Sequence, residues 1–96
     1  MLHVVKKSPF ASHSLEQCLR YLTSQDQLLL IEDAVIAVVD NQMWQTRLQQ
    51  AGVPVYALRE DVQARALLAK VSTNINLIDM AGFVELTEKK QNILSW

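Results

Sequence analysis

Short apolar runs alternate with amphipathic stretches along this chain. "LHVV" (Leu2 to Val5) is rich in β-branched residues and stops at Lys6, which predicts a strand. Pro9 then marks a loop, because proline restricts the residue before it. Leu15, Cys18, Leu19 and Leu22 recur at i, i+3, i+4 and i+7, one apolar stripe on a helix. Ser14 with Gln17 three residues later has the form of a capping box at its start. "LLLIE" (Leu28 to Glu32) is a continuous apolar run and reads as a strand covered on both faces. "AVIAVVD" fits either a short helix packed on the sheet or a strand; helix is favoured because the next strand comes later. Asn41 to Gln50, carrying Met43, Trp44 and Leu48, predicts a helix that Gly52 stops.

"VPVYAL" (Val53 to Leu58) predicts a third strand, with Pro54 near its start, where a missing donor costs little. Asp61 is placed to cap a helix running to about Lys70, with Val62, Ala66 and Ala69 on one face. "NINLID" (Asn74 to Asp79) predicts a fourth strand. Gly82 to Lys90 predicts a last helix with Phe83, Leu86 and Thr87 along one side. The tail "NILSW" is too apolar for a free terminus and is either a last strand or an interface.

The β-α-β-α-β-α-β-α order predicts an α/β fold, a parallel sheet with helices on both faces, as one domain over residues 1–96. In such sheets the working loops lie at the carboxyl ends of the strands. Here these are Lys6 to His13, Glu32 to Ala34, Arg59 to Asp61, and Asp79 to Gly82.

Composition narrows the function classes. Half of the 96 residues are hydrophobic, which excludes disorder and hints at a buried partner surface. Net charge is −1, and the only basic clusters are Lys6-Lys7 and Lys89-Lys90, so no direct nucleic-acid partner is expected. A single cysteine argues against a disulfide-stapled secreted scaffold. The N-terminus is apolar first and basic second, the reverse of a signal peptide, and no apolar run is long enough to cross a membrane. A cytoplasmic protein is expected.

Candidate chemistry is sparse. Asp33, Asp61 and Asp79 each follow a strand and could converge on Mg²⁺. A phosphoacceptor domain, however, needs paired acids after its first strand, where this chain has Lys6-Lys7; helix caps and turn formers explain the three aspartates better. His3, His13 and Cys18 match no zinc spacing. With only Gly52 and Gly82, there is no phosphate-binding glycine loop. No metal site and no cofactor are expected. Cys18 remains as the candidate sulfur-accepting thiol. With Ser14 as cap it falls at the fourth helical position, where the helix dipole is fading, and it lies on the apolar stripe, where cysteine packs as a small hydrophobe.

The stretches "LHVVKKSPF", "SLEQCL", "LLLIEDAV", "VYALREDVQARAL" and "IDMAGFVELT", with the closing Trp96, together resemble the TusB/DsrH family of sulfur-relay subunits. The resemblance covers nearly the whole chain in order. It implies a small DsrEFH-like α/β domain with flavodoxin-like layering. It also implies assembly with homologous sister subunits, of TusC and TusD type or DsrF and DsrE type, as a dimer of heterotrimers. In the Tus branch it implies persulfide sulfur passing from a cysteine desulfurase through TusA, the TusD subunit and TusE to the tRNA thiolase, for 2-thiouridine at the wobble position. In the Dsr branch, related proteins serve sulfur oxidation.

In the sister subunit, sulfur rides on a cysteine in a loop leading into a helix. The matching stretch here is Arg59-Glu60-Asp61, which has no thiol. The resemblance therefore implies a non-carrier subunit, without catalysis by itself. Cys18 matches the first-helix cysteine of DsrH-like members, which many TusB-like members lack. Two alternatives stay open: a DsrH-like persulfide carrier using Cys18, and an unrelated self-associating α/β domain. The chain departs from the family at Asp33-Ala34 for Asp-Gly, at Ala64-Arg65-Ala66 for Ala-Arg-Gly, and at Met80 for Tyr, so loop geometry there is in question.

Overall fold

The computed structural model describes residues 1–40, 43–89 and 92–96. Its strands are β1 (Leu2–Val5), β2 (Gln27–Leu30), β3 (Val55–Leu58), β4 (Asn76–Ile78) and β5 (Ile93–Ser95). Its helices are α1 (Ser14–Tyr21), α2 (Met43–Gln50), α3 (Arg59–Ala64) and α4 (Met80–Lys89), with 3₁₀ turns at Glu32–Val38 and Leu68–Lys70. All strands run parallel in one sheet of order β4-β3-β2-β1-β5.

Handedness explains how the helices divide. From β1 to β4 each connection steps the same way across the sheet, so right-handed crossovers lay their helices on one face. The return from β4 to β5 steps back past three strands, so α4 must lie on the other face. The two apolar clusters follow this division. The first packs Leu15 and Cys18 of α1, Val35 and Val38 of the 3₁₀ turn, Trp44 and Leu48 of α2, and Val62 of α3 on Val5, Leu28, Leu30, Val55 and Ala57. The second sets Phe83 and Leu86 of α4 against Leu2, Val4 and Leu29. Strand residues alternate between the two clusters, as the pleat requires.

The expected α/β sheet with helices on both faces is the one found, and the apolar tail is its fifth strand, paired with β1 from Leu2↔Ile93 to Val4↔Ser95. "AVIAVVD" is helical through Val38, as the end of a 3₁₀ turn, and Val39 leaves it extended to bridge Val71.

Element ends differ from the sequence reading. Ser14 is not the cap of α1: His13 precedes the helix without a side-chain cap, and the Ser14 N–H donates to Ser12 Oγ at 3.1 Å. That starts the helix one residue early and moves Cys18 to its fifth position. Strand β2 stops at Leu30, and Glu32 turns the chain with φ of 51°. Asp61 does not cap a helix to Lys70; α3 begins at Arg59 and ends at Ala64, and Ala66 with φ of 57° breaks the chain before the second 3₁₀ turn. Strands β3 and β4 are shorter than expected, and α4 begins at Met80 rather than Gly82. The predicted helix start at Asn41 and helix end at Lys90 lie outside the described residues. Gly52 stops α2 as expected, at φ of 69°, a conformation that costs glycine little.

Candidate functional site

The four expected loops gather at the carboxyl edge of the sheet, and carboxylates tie the last three together. Asp61, in the first turn of α3, accepts the Glu32 N–H at Oδ2 over 2.6 Å. Glu60 beside it accepts the Met80 N–H at 3.0 Å. Asp79 accepts the Gly82 N–H at 2.8 Å and so caps α4. Asp33 accepts from Arg65 Nη2 at 2.8 Å, while Arg65 Nη1 donates to the Asp61 carbonyl at 2.9 Å. The three aspartates weighed as Mg²⁺ ligands thus bind backbone amides and a guanidinium, and among the described residues no three His, Cys, Asp or Glu side chains are placed to hold a metal ion.

An open cleft of about 310 Å³ lies over the ends of β1 and β2. Lys6, Lys7, Ser8, Ala11 and Ser12 line one side, Glu32 and Asp33 the other. Lysines and carboxylates offset one another there, and neither a histidine nor the cysteine lines it. Phe10 projects from the same loop, 67% exposed.

Of the family departures, Ala66 is the telling one. It holds a left-handed backbone that a β-carbon disfavours by about 1–2 kcal/mol. Ala34 needs no glycine freedom: it is fully buried, and the turn beside it takes its positive φ at Glu32. Met80 is half exposed at the start of α4.

Cys18 lies in the core between α1 and the sheet, with no exposed surface. Burial first, and the nearby Asp26 carboxylate second, push its thiol from 9.0 up to about 12. A thiol so buried and so reluctant to ionise is a poor nucleophile, because the thiolate is the reactive form.

His3 and His13 are not brought to it as a metal set. His13 is exposed beside Glu16. His3 is fully buried; its Nε2 lies 3.0 Å from Asp26 Oδ2, and its Nδ1 accepts from Trp96 Nε1 at 3.1 Å. The sequence reading missed this cluster. A histidine inside an apolar strand was its only signal, and Asp26 and Trp96 lie 23 and 93 residues away.

Comparisons with known proteins speak to the family and the fold. The family model described as "DsrH like protein" matches residues 7–93. "Protein TusB" of Escherichia coli K12 is 41% identical over 96 residues, covering 100% of both chains. "Protein TusB" of Shigella dysenteriae serotype 1 is 40% identical over the same span. Among solved structures, the ychN protein of E. coli superposes with a TM-score of 0.79 at 19% identity, covering 99% of this chain and 97% of that one. A protein of unknown function from Methanobacterium thermoautotrophicum superposes with a TM-score of 0.74 at 9% identity, covering 99% and 96%. At such identities the structural matches speak for the fold alone.

Proposed function

This chain belongs to the DsrH-like family, and from that premise we propose that it is a non-carrier subunit of a cytoplasmic sulfur-relay complex. In this reading one domain over residues 1–96 docks with sister subunits of TusC and TusD type in a dimer of heterotrimers. It meets TusA and TusE only through that assembly. The complex passes persulfide sulfur toward 2-thiolation of the tRNA wobble uridine, and this subunit has no catalytic activity of its own.

The observation that carries the non-carrier role is the burial of Cys18, the one cysteine of the sequence. To accept sulfur, a thiolate must attack the outer sulfur of a donor persulfide, forming a new S–S bond while the donor thiolate leaves. Here the thiol is enclosed and stays protonated. At the position matching a sister's carrier cysteine, Glu60 and Asp61 spend their carboxylates on neighbouring loop amides. The full-length similarity to proteins named TusB supports the Tus branch. Net charge of −1 supports leaving tRNA contact to other subunits.

The test is to load the co-expressed complex with ³⁵S-labelled persulfide donor and map the label by mass spectrometry. Label on the sister's loop cysteine, with transfer intact in Cys18→Ala, is expected. Label on Cys18 together with lost transfer in Cys18→Ala would make this chain the carrier and overturn the reading.

A further inference from the structure

The His3 cluster lies outside the sheet's carboxyl edge and plays no part in the function proposed above. An indole Nε1–H can only donate, so its bond to His3 Nδ1 requires that nitrogen to be unprotonated. The ring proton then sits on Nε2 and is donated to Asp26. Asp26 also accepts the Thr23 N–H at 2.9 Å, and that bond, with those from His3 and the Met1 amino group, holds its carboxyl down at about 2, so it stays an anion throughout the range of imidazole chemistry. The titratable groups facing the ring are Asp26 from the turn before β2 and Tyr21 from α1, and Asp26 in turn is approached by the Met1 amino group at 3.2 Å and feels Cys18 electrostatically. From the residue after β5 comes the Trp96 indole, whose ring also meets Tyr21 edge-on at 5.7 Å.

A second proton on this ring has one place to go, Nδ1. There it meets an N–H that already points at it. The imidazolium keeps Asp26 and even strengthens that bond, while Trp96 loses its acceptor and faces a like-signed donor. Strand β5 itself is held to β1 by backbone pairing, with the Leu2 N–H on the Asn92 carbonyl at 3.0 Å and the Trp96 N–H on the Val4 carbonyl at 2.8 Å, so what depends on the ring is the Trp96 indole.

We propose that His3 is a proton-operated clasp on the Trp96 side chain, holding its indole while Nδ1 is unprotonated and releasing it when Nδ1 takes up a proton. The geometry makes release one-sided: the Asp26 bond persists, and the indole yields.

The full chain, ¹⁵N-labelled at tryptophan and histidine, tests this by NMR from about pH 8 to about pH 5, the span in which histidine changes charge. The Trp96 indole N–H should shift and lose exchange protection by about tenfold, after correction for intrinsic rates, at the midpoint of the His3 ring signals. The buried Trp44 indole serves as reference and should not follow. In Trp96→Phe, which keeps a packing ring without the donor, backbone protection of β5 should be insensitive to the His3 transition. In His3→Asn the pH-dependent release of Trp96 should vanish. The clasp is overturned if the Trp96 indole keeps its protection through the His3 transition, or if it is released at the same pH in His3→Asn.

Discussion

The two faces of the sheet are built to different degrees of completion. On the first, helices α1, α2 and α3 with the long 3₁₀ turn bury Leu15, Val35, Leu48 and Val62 to 1% exposure or less. On the second, α4 alone crosses five strands, and none of its residues is buried. Its Phe83 and Leu86 are only partly covered, and Met80 and Val84 are 50% and 47% exposed. An apolar surplus that looks excessive in the composition is therefore uneven in space: one face is a finished core, the other is thinly roofed. The proposed sister subunits give the thin face a use, because permanent interfaces resemble a domain core cut in half.

The sharpest way to break this comparison is to truncate one apolar side chain on each face. Leu48→Ala removes a side chain that is 1% exposed and should cost about 3 kcal/mol in urea denaturation. Phe83→Ala on α4 should cost about 1.5 kcal/mol in the isolated chain, because a half-covered ring has less burial to lose. In the assembled complex the Phe83 penalty should grow. Equal costs in the isolated chain would mean that both faces are equally complete.

A smaller change sharpens what Cys18 does for the first face. Cys18→Ala should cost about 1 kcal/mol, the trimming of a small buried group. Its pH dependence carries a sign. The folded thiol titrates near 12 against 9.0 unperturbed, so above 9.0 the unfolded chain loses a proton that the folded one keeps. Stability from this group is full below 9.0 and declines as pH rises toward 12. Denaturation midpoints of the wild type should fall with pH in that window more steeply than those of Cys18→Ala; parallel curves would sink the assignment.

The smallest expected effect is a gain. Ala66→Gly relieves a backbone at φ of 57° and should stabilise the chain by about 0.5–1 kcal/mol, offset in part by the freer unfolded state. A loss in thermal denaturation would show that the turn before the second 3₁₀ segment is not strained.

Much of this architecture was legible in the chain. The period of Leu15, Cys18, Leu19 and Leu22 marked a helix stripe, and the run Leu28 to Leu30 marked a strand buried on both faces, because hydrophobic period follows directly from backbone geometry. Helix starts were less legible. Ser14 and Asp61 both have the chemistry of caps, yet Ser14 was pre-empted by Ser12 Oγ, and Asp61 was drawn across to the Glu32 amide. A cap is local in sequence, but the competing partner of Asp61 is 29 residues away. The candidate site was legible in part: the loops at the carboxyl edge were placed by strand order, whereas the sharing of Asp33, Glu60 and Asp61 among them was not.

By itself, the sequence determined the α/β alternation, the apolar stripes, the lack of any thiol but Cys18, and the family resemblance, because each is carried by residue type and short-range spacing. Only the tertiary structure decided that α4 stands alone on its face, since that depends on which side a right-handed return from β4 to β5 must pass. It alone enclosed Cys18 and raised its thiol, because desolvation is a property of surroundings and not of the residue. And it alone joined His3 to Asp26 and Trp96, because parallel pairing with β2 and β5 sets β1 between segments that the chain keeps far apart.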